Sequence, residues 1–388
     1  MDHVEAARGV AEVLAADVVA RDAKGGAPEA EVALLRESGL LGLLVARELG
    51  GAGGSWADAL DVVRTLAAAD ASAAMLLGYH YLHLWRLGRY DNAELAERAA
   101  RGTVREGWFW GGASNPREPG LTLTPDGDGY LVGGRKGFAT GAQVADRIVV
   151  SGSVEGAGGK VMVVLDGRAP GVRHAGDWDA FGVRRSASGG VEFDRARVPG
   201  EWVVGEVPPG EEAARPDQSL VVPGFQVVFA HLYAGIARGA LTAAAEYTRT
   251  KTRPWTGSGV ETATRDPYIL ETYGELAAAT AAAEALAERA RAAFDRAARR
   301  GRSLTAGERG ETAVAVSTAK VVAQRAVLDV TARVFDVIGA RGTAAGAGFD
   351  RYWRDARTHT LHDPVAYKLR EIGDHALTGA LPTPGPYS

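Results

Sequence analysis

The chain has 388 residues, a formal net charge of −4, 46% hydrophobic and 24% charged residues. At roughly 150 residues per domain this is two or three domains with ample core, which excludes a disordered chain, and no global basic field points to nucleic acid. Cysteine is absent, so disulfides, thiolate metal sites and a cysteine nucleophile are excluded, as fits a reducing compartment. The N-terminal 26 residues are charged throughout and lack the apolar core of a secretory signal. No run of about 18 uncharged apolar residues is visible, so no membrane span and a cytoplasmic location are expected. Residues 1–107 read as a helical domain, with Ala, Leu and Val at helical spacing and breaks at Lys24–Gly26 and Gly50–Gly54. Residues 108–210 change texture: short β-type runs are punctuated by Asp-Gly, Gly-Gly and Pro-Gly, as in an antiparallel sandwich or barrel. Residues 211–388 return to long helices, one of them ended by Gly339, with a Pro-rich tail. The expected class is α+β: helical bundle, antiparallel β-domain, helical bundle.

Several motifs have a bland reading beside a functional one. The glycines at 50–54 follow a helical segment and are not completed into a phosphate loop, so they read as a turn. His80 and His83 lie three apart on one helix, without the Glu of a zinc motif; they read as partly buried or, with Tyr79 and Tyr81, as a pocket for a flat ligand. No metal site is expected. The turn at Phe138–Ala142 is either a plain connection or a place where the Thr140 hydroxyl and open N–H groups meet a polar heterocycle. Arg249, Lys251 and Arg253 end a helix before Pro254 and either offset its dipole or bind phosphate. His359 and His362 precede Asp363-Pro364; proline holds Asp363 out of helix, and a histidine beside a carboxylate suits acid–base work.

Four segments in register resemble the acyl-CoA dehydrogenase superfamily: Arg47–Gly53, Gly133–Ala142, Phe181–Ser188 with Val191–Phe193, and Ile338–Thr343 with Trp353–Arg357. The resemblance implies a helix–β–helix subunit, a homotetramer, and flavin between the β-domain and the C-terminal bundle. A dehydrogenase of this family has a catalytic Glu after the Arg-Asp pair. Counting from Arg354-Asp355, that carboxylate falls at Asp363, before proline. The segment 356–368 is instead similar to the monooxygenase branch, which includes dibenzothiophene monooxygenases and indole or amine hydroxylases.

That likeness implies a monooxygenase using reduced FMN or FAD from a separate reductase. Through a flavin hydroperoxide, O2 would give one oxygen atom to a small aromatic or heteroaromatic substrate, at sulfur, nitrogen or carbon. The alternative is an acyl-CoA dehydrogenase or flavin oxidase. By resemblance, His362 is the acid–base residue, supported by Asp363, with His80 a second pocket histidine. Thr140 and Gly141 contact flavin, Trp178 packs near its ring and Arg253 takes its phosphate. Arg341, Gly342 and Thr343 reach the cofactor of a neighbouring subunit. Asn115, Tyr79, His83 and His359 lie on the substrate side.

Overall fold

A computed structural model describes residues 3–210 and 213–388. The N-terminal part holds α1 (His3–Lys24), α2 (Glu29–Glu37), α3 (Trp56–Ala69), α4 (Ala71–Leu87) and α5 (Ala93–Arg105). Local chemistry sets two of the starts. Ser55 and Asp58 form a capping box ahead of α3, and the Asp70 carboxylate accepts the Ala73 N–H ahead of α4. Every residue of α4 from Ala71 to Leu84 is buried, because it packs on α3, on β1 (Trp110–Ala113) and on α7 (Val221–Thr250). Two histidines and two tyrosines on such a helix must satisfy their polar atoms inside the protein, and that decides which are left for chemistry.

The middle of the chain continues with β2 (Leu121–Asp126), β3 (Gly129–Lys136), β4 (Arg147–Val154), β5 (Lys160–Asp166), β6 (Val172–His174), β7 (Val191–Val198) and β8 (Val203–Val207). They form one sheet in the order β6-β7-β3-β2-β4-β5-β8, with β1 also on β4. The sheet is mixed, which corrects the expectation of a purely antiparallel domain. Both β1 and β2 run parallel to β4, Ala113 opposite Val150 and Leu121 opposite Gly152. They are two halves of one interrupted strand, and residues 114–120 leave the sheet between them. A hairpin-like punctuation in the sequence marks this excursion as a turn, but only the register shows that the chain resumes its former direction.

The C-terminal part holds α6 (Pro216–Ser219), α7, α8 (Pro267–Arg300), α9 (Ala306–Ile338), α10 (Phe349–His359) and α11 (Val365–Thr378). The long helices α7, α8 and α9 pack side by side, and α3 lies on α7. The segment Pro216–Thr250 is long and apolar enough to cross a membrane, which the sequence reading overlooked, but 83% of its most apolar window is buried inside the bundle. It is a core helix here.

Charged contacts tie the parts together behind the cleft described below. Arg185, in the loop before β7, makes a two-pronged pair with Glu31 of α2, at 2.8 and 2.7 Å. Arg21 of α1 reaches Glu31 and Asp70 at 2.7 and 2.8 Å. Burial works against the Glu31 charge, yet Arg185 and Arg21 hold its carboxyl below the usual range. Arg354 of α10 pairs with Asp22, and the Val183 N–H donates to Asp355 Oδ1 at 2.6 Å.

Asp355 gives a pH prediction. Burial pushes its carboxyl up to about 7, against the pull of Arg351. In the unfolded chain an aspartate titrates near about 3.9, so between these values the folded form binds a proton that the unfolded form has released. The stability from this group is complete below about pH 4 and is lost as the pH rises through 7. Asp355→Asn keeps an oxygen for the Val183 N–H, so urea midpoints for the variant are expected to vary less over that window. An identical slope in the wild type and the variant would exclude Asp355 as its source.

Candidate active site

One cleft of about 1090 Å³ opens between the β-domain and the two helical parts. Its β-side is built from two loops. Ala139 and Gly141 of the turn after β3 donate their N–H groups to Gly189 and Ser186 carbonyls of the loop before β7. Phe138, Val183 and Ala187 in these loops have φ of 51°, 42° and 46°. Such values are unfavourable for residues with a Cβ, most of all for a β-branched valine, and persist where the surroundings fix them. Gly141, at φ 72°, supplies the turn itself. The result is a row of hydroxyls: Thr140 Oγ1 lies 2.9 Å from Ser188 Oγ, which lies 2.8 Å from Ser186 Oγ. Trp178 stands beside them, its Nε1–H donated to the Val183 carbonyl at 2.9 Å and its ring edge-on to Phe138.

The helical side comes from α4, α7 and the end of α10. His83 packs where β1 offers Gly112; a Cβ there would fall 2.1 Å from His83 Cε1. Burial pushes the His83 imidazole down to about 3, helped by the Arg86 charge. His359 is enclosed, with Nδ1 2.9 Å from the Tyr233 hydroxyl and Nε2 3.5 Å from that of Tyr79. Burial, and then the His362 and Lys320 charges, hold it down to about 3, so it is neutral and does not exchange protons near pH 7.

His362 differs. Its side chain is 38% exposed and faces the cleft, edge-on to Phe229 at 4.8 Å and to Tyr387 at 6.0 Å. Its Nδ1 is 3.1 Å from Asp363 Oδ1. Asp363 is turned away from the cleft, and its Oδ2 accepts from Lys320 Nζ at 2.5 Å. Burial raises the Asp363 carboxyl, but the His362 hydrogen bond and the Lys320 charge outweigh it and hold the group well below the usual range. An ionised Asp363 can only accept, so Nδ1 carries the proton and Nε2 is left to take or give one. Lys320, fully buried on α9, is pushed down by burial and pulled back by Asp363; the pair is charged because each partner compensates the other.

Of the residues singled out from sequence, His362, Thr140, Trp178, Asn115, Tyr79, His83 and His359 line this one cleft. Others do not. His80 is fully buried, with Nε2 2.9 Å from the Leu41 carbonyl and Nδ1 accepting the Trp110 N–H at 3.1 Å. Burial pushes it down to about 4. It ties α4 to the N-terminal loop and β1, which corrects its assignment as a pocket histidine. Asp363 stands behind His362 and does not itself line the cleft. Gly141 shapes the turn without lining the cleft. Arg253, Arg341 and Thr343 are exposed and, with the buried Gly342, stand outside it. Asn115 begins the excursion between β1 and β2, its Oδ1 accepting the Arg117 N–H at 3.0 Å. Among the described residues no group of three or more His, Asp or Glu side chains is arranged to hold a metal ion.

A flavin suits these walls. The Thr140 and Ser188 hydroxyls can meet a heterocycle's polar edge, Trp178 covers a ring, and Thr358 Oγ1 and Gln226 Oε1, both at the cleft, are buried without a partner. The comparisons agree. The acyl-CoA dehydrogenase N-terminal domain family matches residues 3–105 and the C-terminal domain family residues 227–366. The dibenzothiophene monooxygenase of Mycolicibacterium goodii is 43% identical over 400 residues, covering 99% of this chain and 95% of the relative. The chain belongs to the flavin-dependent monooxygenase branch of the acyl-CoA dehydrogenase superfamily. A probable FMNH2-dependent monooxygenase of Pseudomonas putida is 39% identical, over 98% of this chain and 96% of that protein. The crystal structure of TdsC from Paenibacillus sp. A11-2 with FMN and indole has a TM-score of 0.95 and 40% identity, covering 100% of this chain and 99% of that one. The monooxygenase is thus an oxidoreductase that uses reduced flavin and O2 on a small molecule, with reducing equivalents from a separate reductase.

The sequence reading missed Lys320, Ser188, Tyr233, Gln226 and Tyr387. Lys320 left a trace: it is a lone cation in a run of small and apolar residues on α9, where helical spacing buries it. Ser188 closes one of the four segments that resemble the family, where nothing local marks its hydroxyl for the cleft.

Proposed function

We propose that this chain is an FMN-dependent oxygenase acting in the cytoplasm on a small sulfur-containing or heteroaromatic substrate. The balance is substrate, O2 and reduced flavin giving oxygenated substrate, oxidised flavin and water. Flavin, when bound, supplies the two electrons and the activation of O2. Thr140 and Ser188 would hold its polar edge, and Trp178 would cover its ring. Tyr79, Phe225 and Phe229 keep water from the helical side. His362 Nε2 would hold or deliver a proton for the oxygen atom that ends as water.

The observation that carries this reading is the Lys320–Asp363–His362 relay. The carboxylate that would abstract a substrate proton in a dehydrogenase is ion-paired behind the imidazole and out of the cleft. The dibenzothiophene that names one relative and the indole bound in the TdsC structure support the substrate class. A homotetramer is part of the proposal, with Arg253, Arg341 and Thr343, exposed outside this chain's own cleft, and the buried Gly342 between the last two serving a neighbour's cofactor.

The test supplies reductase-generated reduced FMN under 18O2 with dibenzothiophene and indole in turn. One labelled oxygen atom in the product is expected. Product labelled only from H2 18O, or turnover of acyl-CoA without O2, would replace the proposal with oxidase or dehydrogenase chemistry.

A further inference from the structure

The cleft continues past the residues assigned above. Its helical wall is the seam where α4 and α7 pass each other in opposite directions: Gly78 meets Val228, and Leu82 meets Gly224. Tyr79, His83 and Arg86 stand at i, i+4 and i+7 on one face of α4, opposite Val221, Val222 and Phe225. Seven helical residues span about 10 Å. At one end the Tyr79 hydroxyl meets His359, next to His362. At the other end is Arg86.

Arg86 is half-buried in the cleft wall, and among the described residues its guanidinium has no ion pair or hydrogen bond; Nε is buried without an acceptor. Other withdrawn guanidiniums meet carboxylates, Arg21 with Glu31 and Asp70, Arg185 with Glu31 and Arg354 with Asp22, or lie over a ring, Arg89 on Trp85 and Arg351 on Tyr352, and none of these five lines the cleft. One turn before Arg86, His83 Nδ1 is also buried without a partner. A cation withdrawn from water with no counter-charge is unfavourable, and so is an unpaired buried imidazole nitrogen. Both sit in the same wall, separated from the His362 end by apolar side chains. Resting on the oxygenase reading of this cleft, we propose that its substrate is amphiphilic, with an aromatic or thioether body at the Tyr79 end. A carboxylate or sulfonate at the far end is held by Arg86, with His83 as a second polar contact.

Indole-3-butyrate and its neutral amide are the probes, with binding measured by calorimetry at pH 7.5. Hydrogen bonds to a charged group support a preference for the carboxylate of about 10- to 100-fold in the wild type. Arg86→Met is expected to bring that ratio to near one, and Arg86→Lys to keep most of it. Equal binding of the two probes by the wild type overturns the proposal without any variant. So does an Arg86→Met effect that is the same on both. If Arg86 instead takes the flavin phosphate, Arg86→Met weakens reduced FMN but not reduced riboflavin and leaves the probe ratio intact, which also overturns it. The function is judged separately by label from 18O2: wild type that prefers the carboxylate yet never oxygenates indole or either probe retains the anion site and loses the oxygenase reading.

Discussion

His362→Ala is expected to lower kcat by about 100- to 10,000-fold, the range of one positioned acid–base group, while changing the Kd of reduced FMN by less than about threefold. The reason is geometric. His362 is the one of the two late histidines with a nitrogen free for the cleft; His359 has both nitrogens facing tyrosine hydroxyls and is held neutral. Removing the His362 ring takes away Nε2, the nitrogen left open to the cleft, but none of the Thr140–Ser188 hydroxyls on the opposite wall. His362→Gln separates shape from proton transfer, since it fills similar space but does not titrate. Turnover within threefold of wild type in both variants would remove His362 from the mechanism; a loss in Ala recovered by Gln would make the residue a spacer.

Lys320→Met is the variant expected to be most damaging to the fold. It strands the Asp363 carboxylate in a site where both side chains are almost wholly buried. Breaking a buried pair on one side costs about 3–5 kcal/mol, because the remaining charge keeps its desolvation penalty. Lys320→Met with Asp363→Leu removes both charges and is expected to regain most of that stability but not activity, since His362 loses the acceptor that fixes its tautomer. The pH behaviour follows from the depressed Asp363 carboxyl. Stability from this group is present above the unfolded value near about 3.9 and is lost as the pH falls below it. Urea denaturation at pH 7 and at about pH 3, below the unfolded value, should therefore show the gap between wild type and Lys320→Met narrowing on acidification. A loss under about 1 kcal/mol at pH 7 would mean that the pair is not the anchor of His362.

The histidine motif shows how far sequence reaches and where it stops. Position 359 and position 362 are equivalent in spacing terms, and both were carried to the same pocket, where the structure puts them. Their division of labour is not a local property. It follows from Tyr233 on α7 and Tyr79 on α4 closing over one ring and Lys320 on α9 backing the carboxylate beside the other. These partners are 43 to 280 residues away in sequence.

His80 shows the opposite error. Helical spacing placed it with His83, but an interval of three leaves the two side chains about 60° apart around the axis. That turn was enough for β1 and the Leu41 carbonyl to capture one ring while the cleft received the other.

What the sequence determined by itself was the alternation of helical and strand-like segments, the absence of thiol chemistry and the segment that carries the two late histidines of the cleft. These are written in periodicity and residue type, which act over a few neighbours. The tertiary structure decided that β1 and β2 share one parallel partner, that Asp363 faces a buried lysine instead of the cleft, and that Arg86 looks into the cleft with no partner among the described residues. Each of those depends on which distant side chain fills the neighbouring space, and burial then sets the charge, so no local reading could supply them.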